Sequence, residues 1–452
     1  MIDYLLAALS ILDGDGIFKS GCGGLRLGMW RWIPGPKPSG TTLAIAGIAV
    51  FAALLYSTNK GHIKSPWPFH KRRHALSPEQ WRSMFSEDGT LCDGGALLLK
   101  KVRSGGVDHA IRAEVWPFLL GVYDLRSSRE EREKIRSNQR LEYEKLRSLC
   151  HPPLTQDEPD STSCSSATDD SSSSPHKGNK ASSESFSTWQ RVIRVDAIRA
   201  NAEWVPFSPS QSTVSEADAH SLADAVSLID YDNLEPCRVL HAARLVAVLE
   251  AYAVHDSEIG YCQGMSDLLS PILAVIDTDS DAFWSFVGFM KKARHNFRLD
   301  ELGIRRQLSI VSKIIKLKDA RLFRHLEKLE AEDCFFVYRM VVVMFRRELS
   351  LEQTMWLWEV MWADQVAVRS DMRGYRWRVV EGAPPTDDLL LYAIAASVLQ
   401  RRKLIIERYS SMDEILRECN GMAGHLDVSR LLDYAHDLVS NVHDRIETCD
   451  SL

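Results

Sequence analysis

Residues 239–255 read VLHAARLVAVLEAYAVH, and this stretch decides the fold class. Apolar side chains fall at Val239, Leu240, Ala243, Val246 and Leu249, the spacing of three and four that lays one stripe along a helix. Toward the C-terminus the rhythm continues at Ile304, Leu308, Val311 and Ile315, then at Leu322, Leu326 and Leu329. Residues 335–345 are almost uniformly apolar and read as central to a core, and 428–439 carries a last stripe. Ser411 and Glu414 in SSMDEIL form a capping-box signal. Toward the N-terminus, Trp81, Met84 and Phe85 open an amphipathic stretch. Residues 110–121 (AIRAEVWPFLLG) keep helical spacing and end in a glycine suited to a C-cap. Residues 127–149 read as a charged helix that offers Ile135, Leu141, Tyr143 and Leu146 to a core. No alternating strand series or βαβ rhythm competes, so the chain reads as all-α.

The 452 residues, 45% of them hydrophobic, suffice for one large or two ordinary globular units. A formal net charge of −6 and a pI near 6.2 give no electrostatic reason to expect nucleic acid as a partner. Nine cysteines without a CxxC spacing favour a reducing compartment over a disulfide scaffold or zinc site.

Two regions depart from the helical texture. Residues 1–80 are basic and broken by Gly and Pro, and they contain 39–59, a run without charged side chains centred on LAIAGIAVFAALLY. As a helix, 21 uncharged residues span roughly 30 Å, the thickness of a bilayer core. The run reads in three ways: a membrane anchor, a buried globular helix, or a segment with no stable role. Residues 81–450 form the helical domain, interrupted at 151–187 by a stretch dominated by Ser, Asp and Pro. With almost no large apolar residues it cannot offset the entropy of ordering, and it reads as a disordered insertion.

No GxxxxGK[ST] loop, GxGxxG turn, HExxH, GxSxG or Cys/His ligand set occurs, so the marked routes to nucleotide, metal or covalent chemistry are missing. Two polar segments remain. In IRVDAIR (193–199), Asp196 and Arg199 lie three apart and share a face if helical, as a structural ion pair or as an oriented guanidinium. In GYCQGM (260–265), glycines bracket Gln263, where they permit a tight turn and close approach of another surface; on its own the glutamine reads equally as an ordinary loop residue.

At these residues the chain resembles the TBC domain, a GTPase-activating domain for Rab-type small GTPases. IRVDAIR matches the family's IxxDxxR motif and IGYCQGM its YxQG motif. GGVDHAIRAEVWPFLLG resembles the opening segment through Arg112, Trp116, Leu119, Leu120 and Gly121, and FRRELSLEQTMWLWE a later one through Phe345, Arg347, Glu348 and Trp358. The serine-rich insertion followed by VDAIRANAEWVPFSPSQ looks most like the plant branch.

The resemblance implies a TBC-type helical fold and an activator rather than an enzyme in its own right. It places the arginine finger on Arg199 and the glutamine finger on Gln263, with Asp196, Tyr261 and Gly264 supporting. It implies no cofactor of the chain's own, GTP and Mg²⁺ being held by a GTP-bound Rab partner, and a role in vesicle trafficking on the cytoplasmic side of intracellular membranes. The competing expectation is a scaffold that engages a GTPase through the same surface without accelerating it. Ala200 stands where many members carry Thr, and Glu359 where Asp is commoner.

Overall fold

Ser77 starts the first helix, α1 (Pro78–Ser83), through a reciprocal capping box with Gln80. The computed structural model describes residues 75–150, 178–298, 300–370 and 383–450, all within one compact unit, Phe69–Leu452. After α2 (Ala96–Gly105) comes α3 (Arg112–Leu119), which ends where Gly121 takes φ +74°, the left-handed exit that glycine tolerates without a Cβ penalty. In α4 (Arg129–Cys150) the inward stripe runs through Ile135, Gln139, Tyr143, Leu146 and Cys150. Leu141, expected to face the core, falls off that stripe and is 67% exposed.

The next helix, α5 (Gly178–Ile198), corrects the expected extent of the disordered insertion. It takes in 178–187, because Phe186 and Trp189 extend back along the chain the apolar stripe that Ile193 and Ala197 bury. Residues 151–177 and the apolar run 39–59 lie outside the described residues. After α6 (Glu216–Ala225) comes α7 (Pro236–His255), which holds the deciding stretch and is buried nearly all round, from Val239 to Ala253. Helices α4, α5 and α6 pack on it, as do α8 (Met265–Val275) and α9 (Asp279–Ala293). Its one buried carboxylate, Glu250, accepts from Arg147 of α4 and from Gln190 and Arg194 of α5, each at 3.2 Å. Two cations and an amide offset the cost of sealing that charge from water.

The second half begins with α10 (Leu302–Lys318) and α11 (Ala320–Lys328). Residues 335–345 are central as expected, with Phe336, Val337, Met340, Val341 and Phe345 buried. Their backbone is a 3₁₀ turn, the short α12 (Tyr338–Val342), and then a bend in which Met344 and Phe345 both have positive φ. Beyond it, α13 (Leu351–Arg369) packs on α2 and α3, while α14 (Leu389–Gln400) packs on α10 and on the last helix, α17 (Val428–Asp450). Between them lie α15 (Arg402–Arg408) and α16 (Met412–Asn420). Ser411 caps α16 through the Glu414 amide, and the Glu414 carboxylate accepts from the amide of Ser410.

Glu359 of α13 fastens that helix to residues 107–116. It accepts from the Val107 amide at 2.8 Å, Arg112 Nε at 2.7 Å and Trp116 Nε1 at 3.1 Å. Around it Trp116, Phe289, Trp358 and Trp362 pack edge to face or tilted. The longer side chain at position 359 is therefore a satisfied hub. The described residues contain no β-strand; Leu76–Val107 and Phe85–Leu91 form isolated bridges.

Candidate functional site

Arg199 stands exposed immediately after the last turn of α5, its amide still bonded to the Val195 carbonyl. The chain that follows is fastened at several points. The carbonyl of Ala200 accepts from Arg238 Nη2 at 3.2 Å, a contact that needs only the backbone and so survives the absence of a threonine hydroxyl. Trp204 stacks on His241 with centroids 4.1 Å apart and planes 11° from parallel. The His241 ring is itself held between Gln211 and Ser270. Burial keeps that imidazole neutral, its pKa well below the ordinary value.

Gln263 is exposed on the loop that leads into α8. Its two glycines do different jobs. Gly260, at φ +62°, lies so close beneath Trp189 of α5 that a Cβ there would come within 2.1 Å of the indole. Gly264, at φ +102°, is the N-cap of α8 and lies near Val343 of the bend. Between them the Cys262 thiol donates to the Phe297 carbonyl at 3.5 Å, and burial pushes its pKa up to about 11, so it is a packing group rather than a nucleophile.

A hydrogen bond joins the two segments: the buried Tyr261 hydroxyl donates to Asp196 Oδ2 at 2.7 Å. The carboxylate bonds across to the glutamine loop, and Arg199 reaches it as a nearby positive charge. Burial raises the Asp196 pKa to about 6; Tyr261, Arg199 and Arg347 oppose the rise and Asp267 adds to it. Burial also lifts Tyr261 well above the usual phenol value, with the Asp196 charge adding to it, so its proton stays in place to donate.

Sequence reading missed three contributors. Trp189 couples α5 to Gly260. Asp267, in the first turn of α8, accepts from Arg347 Nη2 at 3.0 Å, and Asp267 is the main reason the Arg347 pKa is raised. Arg346 donates to Glu203 at 3.1 Å and Asn201 at 3.3 Å. The available signal was an arginine pair following the apolar run 335–345, since buried cations require partners. Among the described residues no group of three or more His, Cys, Asp or Glu could hold a metal ion.

Comparison with known proteins bears on this arrangement. The family model for the Rab-GTPase-TBC domain matches residues 239–369, which takes in Gln263 and the arginine pair and leaves Arg199 outside. The chain is 54% identical over 461 residues to Rab GTPase-activating protein 22 of Arabidopsis thaliana, covering 85% of this chain and 84% of that protein. It is 27% identical over 380 residues to GTPase-activating protein GYP7 of Yarrowia lipolytica, covering 84% of this chain but 46% of the relative, so it spans about half of that protein. Its fold is similar to the crystal structure of the Ypt/Rab-GAP domain of Gyp1p, with a TM-score of 0.55 at 14% identity over 80% of this chain and 97% of that one.

Proposed function

From the premise that the chain belongs to the Rab-GTPase-TBC domain family, we propose that it accelerates GTP hydrolysis by a Rab-family GTPase with Arg199 and Gln263 as fingers supplied in trans. It acts as an activator: GTP and Mg²⁺ belong to the partner. Hydrolysis on the GTPase alone is slow because charge building on the transferred phosphoryl group is poorly stabilised and the attacking water poorly held. A guanidinium is permanently charged and planar, and it donates to phosphoryl oxygens as a fork; such fingers are worth on the order of 10³ to 10⁵ in rate. The Gln263 amide donates and accepts, as orienting a water requires.

The observation that carries this reading is the Asp196–Tyr261 bond. It ties the segment ending in Arg199 to the loop bearing Gln263 while both side chains stay exposed. In a phosphate-release assay against a panel of GTP-loaded Rabs, Arg199→Ala and Gln263→Ala each abolish acceleration and keep the helical circular-dichroism spectrum. A fully active Arg199→Ala chain would sink the assignment, and Rab binding without acceleration by the parent chain would favour the scaffold reading.

Residues 39–59 serve as the membrane anchor in this proposal, on the strength of their uncharged length alone. Among the described residues no helix is long and apolar enough to cross a membrane. Deleting 39–59 should move the protein from the membrane pellet to the supernatant after carbonate extraction; a full-length chain already in the supernatant would defeat the idea.

A further inference from the structure

The bend after α12 has two consecutive non-glycine residues in the left-handed region, Met344 at φ +48° and Phe345 at φ +63°. Such positions are strained and persist only when their surroundings over-determine them. Here Trp358 Nε1 donates to the Met344 carbonyl at 2.9 Å, the Phe345 amide donates to the Met340 carbonyl, and the Phe345 ring is fully buried. What the bend achieves is visible in the next two residues. Arg346 is 4% exposed and reaches Asn201 and Glu203, two and four positions after Arg199. Its neighbour Arg347 reaches Asp267, four positions after Gln263.

Resting on the finger assignment above, we infer that Arg346 and Arg347 are positioning residues that register the Arg199 and Gln263 segments against each other, each arginine fastening one segment to the same rigid bend. Arg346 works by shape. Its two terminal nitrogens bond two different acceptors in one short loop, which an ammonium on a flexible stem reproduces poorly. Arg347 works by charge. It neutralises Asp267 and is one of two cations, with Arg199, that act on Asp196; the other groups facing that carboxylate are Tyr261, which donates to it, and Asp267, which repels it. The pair differs from an ordinary buried ion pair in where it ends, since both sets of acceptors lie within four residues of a finger.

The test uses the full chain and a responsive GTP-loaded Rab in single-turnover phosphate release, reading the maximal stimulated rate, the half-saturating concentration of chain and the pH profile. Arg346→Met, Arg346→Lys and Arg347→Met should lower the maximal rate by on the order of tenfold to a hundredfold, the cost of a misplacement near 1 Å, at unchanged half-saturation. Arg347→Lys keeps the charge and should recover most of the rate. Arg347→Met should also move the acid limb of the profile to higher pH, because Asp196 loses a cation that opposes its protonation; the Arg346 variants leave that limb in place. Thermal transitions identify folded variants, and the lysine forms cover the case in which a methionine form fails to fold. Folded variants with the parent's maximal rate, a loss confined to half-saturation, or an unshifted limb in Arg347→Met would overturn the inference. With Arg199→Ala inactive, those results remove this inference alone; Arg199→Ala at full rate removes the finger assignment as well.

Discussion

Asp196 occupies a position where stability and activity pull in opposite directions. Its carboxyl is raised to about pH 6 in the fold, against about 3.9 for a free aspartate, chiefly by burial. A folded-state pKa above the unfolded one means the folded chain binds the proton more tightly. The charged form therefore costs stability above about pH 6, and that cost fades as the pH falls and is gone below about 4. Asp196→Asn keeps an acceptor for the Tyr261 hydroxyl and discards the charge. It should stabilise the fold by roughly 1 to 3 kcal/mol at pH 7.5, with no gain at pH 3.5, while lowering GTPase stimulation. Denaturant titrations at the two pH values read the first effect and phosphate release the second; equal stability at pH 7.5 would contradict the role of burial. The residue types and spacing of IRVDAIR were legible in the sequence. The partner of Asp196 was not, because a hydrogen bond to a tyrosine 65 residues away leaves no local pattern.

At the scale of elements, helical stripes were readable wherever one face meets the core, as in α10 and α11. Reading failed where a distant contact overrides the local pattern. The start of α5 falls in a serine-rich stretch whose composition argues for a loop, and the bend at Met344 interrupts an apolar run that would otherwise extend a helix. The bend is fixed by a tertiary partner, since Trp358 holds the Met344 carbonyl. The joint between α5 and the glutamine loop is likewise made by Trp189 seated on Gly260. Gly260→Ala should lose more than about 1 kcal/mol from the left-handed backbone alone, with further loss from the clash, and should depress stimulation. Adding Trp189→Leu to Gly260→Ala should relieve the clash and return part of the stability in thermal melts; a double mutant no more stable than Gly260→Ala would refute the joint.

For the whole molecule, the contacts that close the domain join its two ends. Arg103 of α2 pairs with Asp364 of α13 and donates to the Ala383 carbonyl, and it faces His436 of α17 closely enough for its charge to disfavour protonation there. Burial first, and that arginine second, lower the His436 pKa to about 4. The unfolded chain therefore takes up the proton more readily than the folded one. The stability due to the neutral ring is present above about pH 6.5 and is lost as the pH falls toward 4, roughly 3 kcal/mol in all. His436→Gln should flatten the fall in melting temperature between pH 6.5 and 4; a slope like the parent's would argue against His436 as its source. The fold class and the motif-bearing segments could be read from one sequence, whereas end-to-end closure could not, since Arg103 and Asp364 stand 261 residues apart with no shared pattern.

The Glu359 hub also sets a timetable for biosynthesis. The donors on residues 107, 112 and 116 leave the ribosome long before their acceptor, 252 residues separating the Val107 amide from Glu359. At about 5 to 20 residues per second, the nascent chain waits on the order of ten to fifty seconds with Trp116 and its apolar neighbours lacking the surface they will pack against. A chain built this way keeps that apolar surface open throughout the interval, and slowing elongation ahead of α13 would lengthen the exposure instead of giving an early domain time to mature.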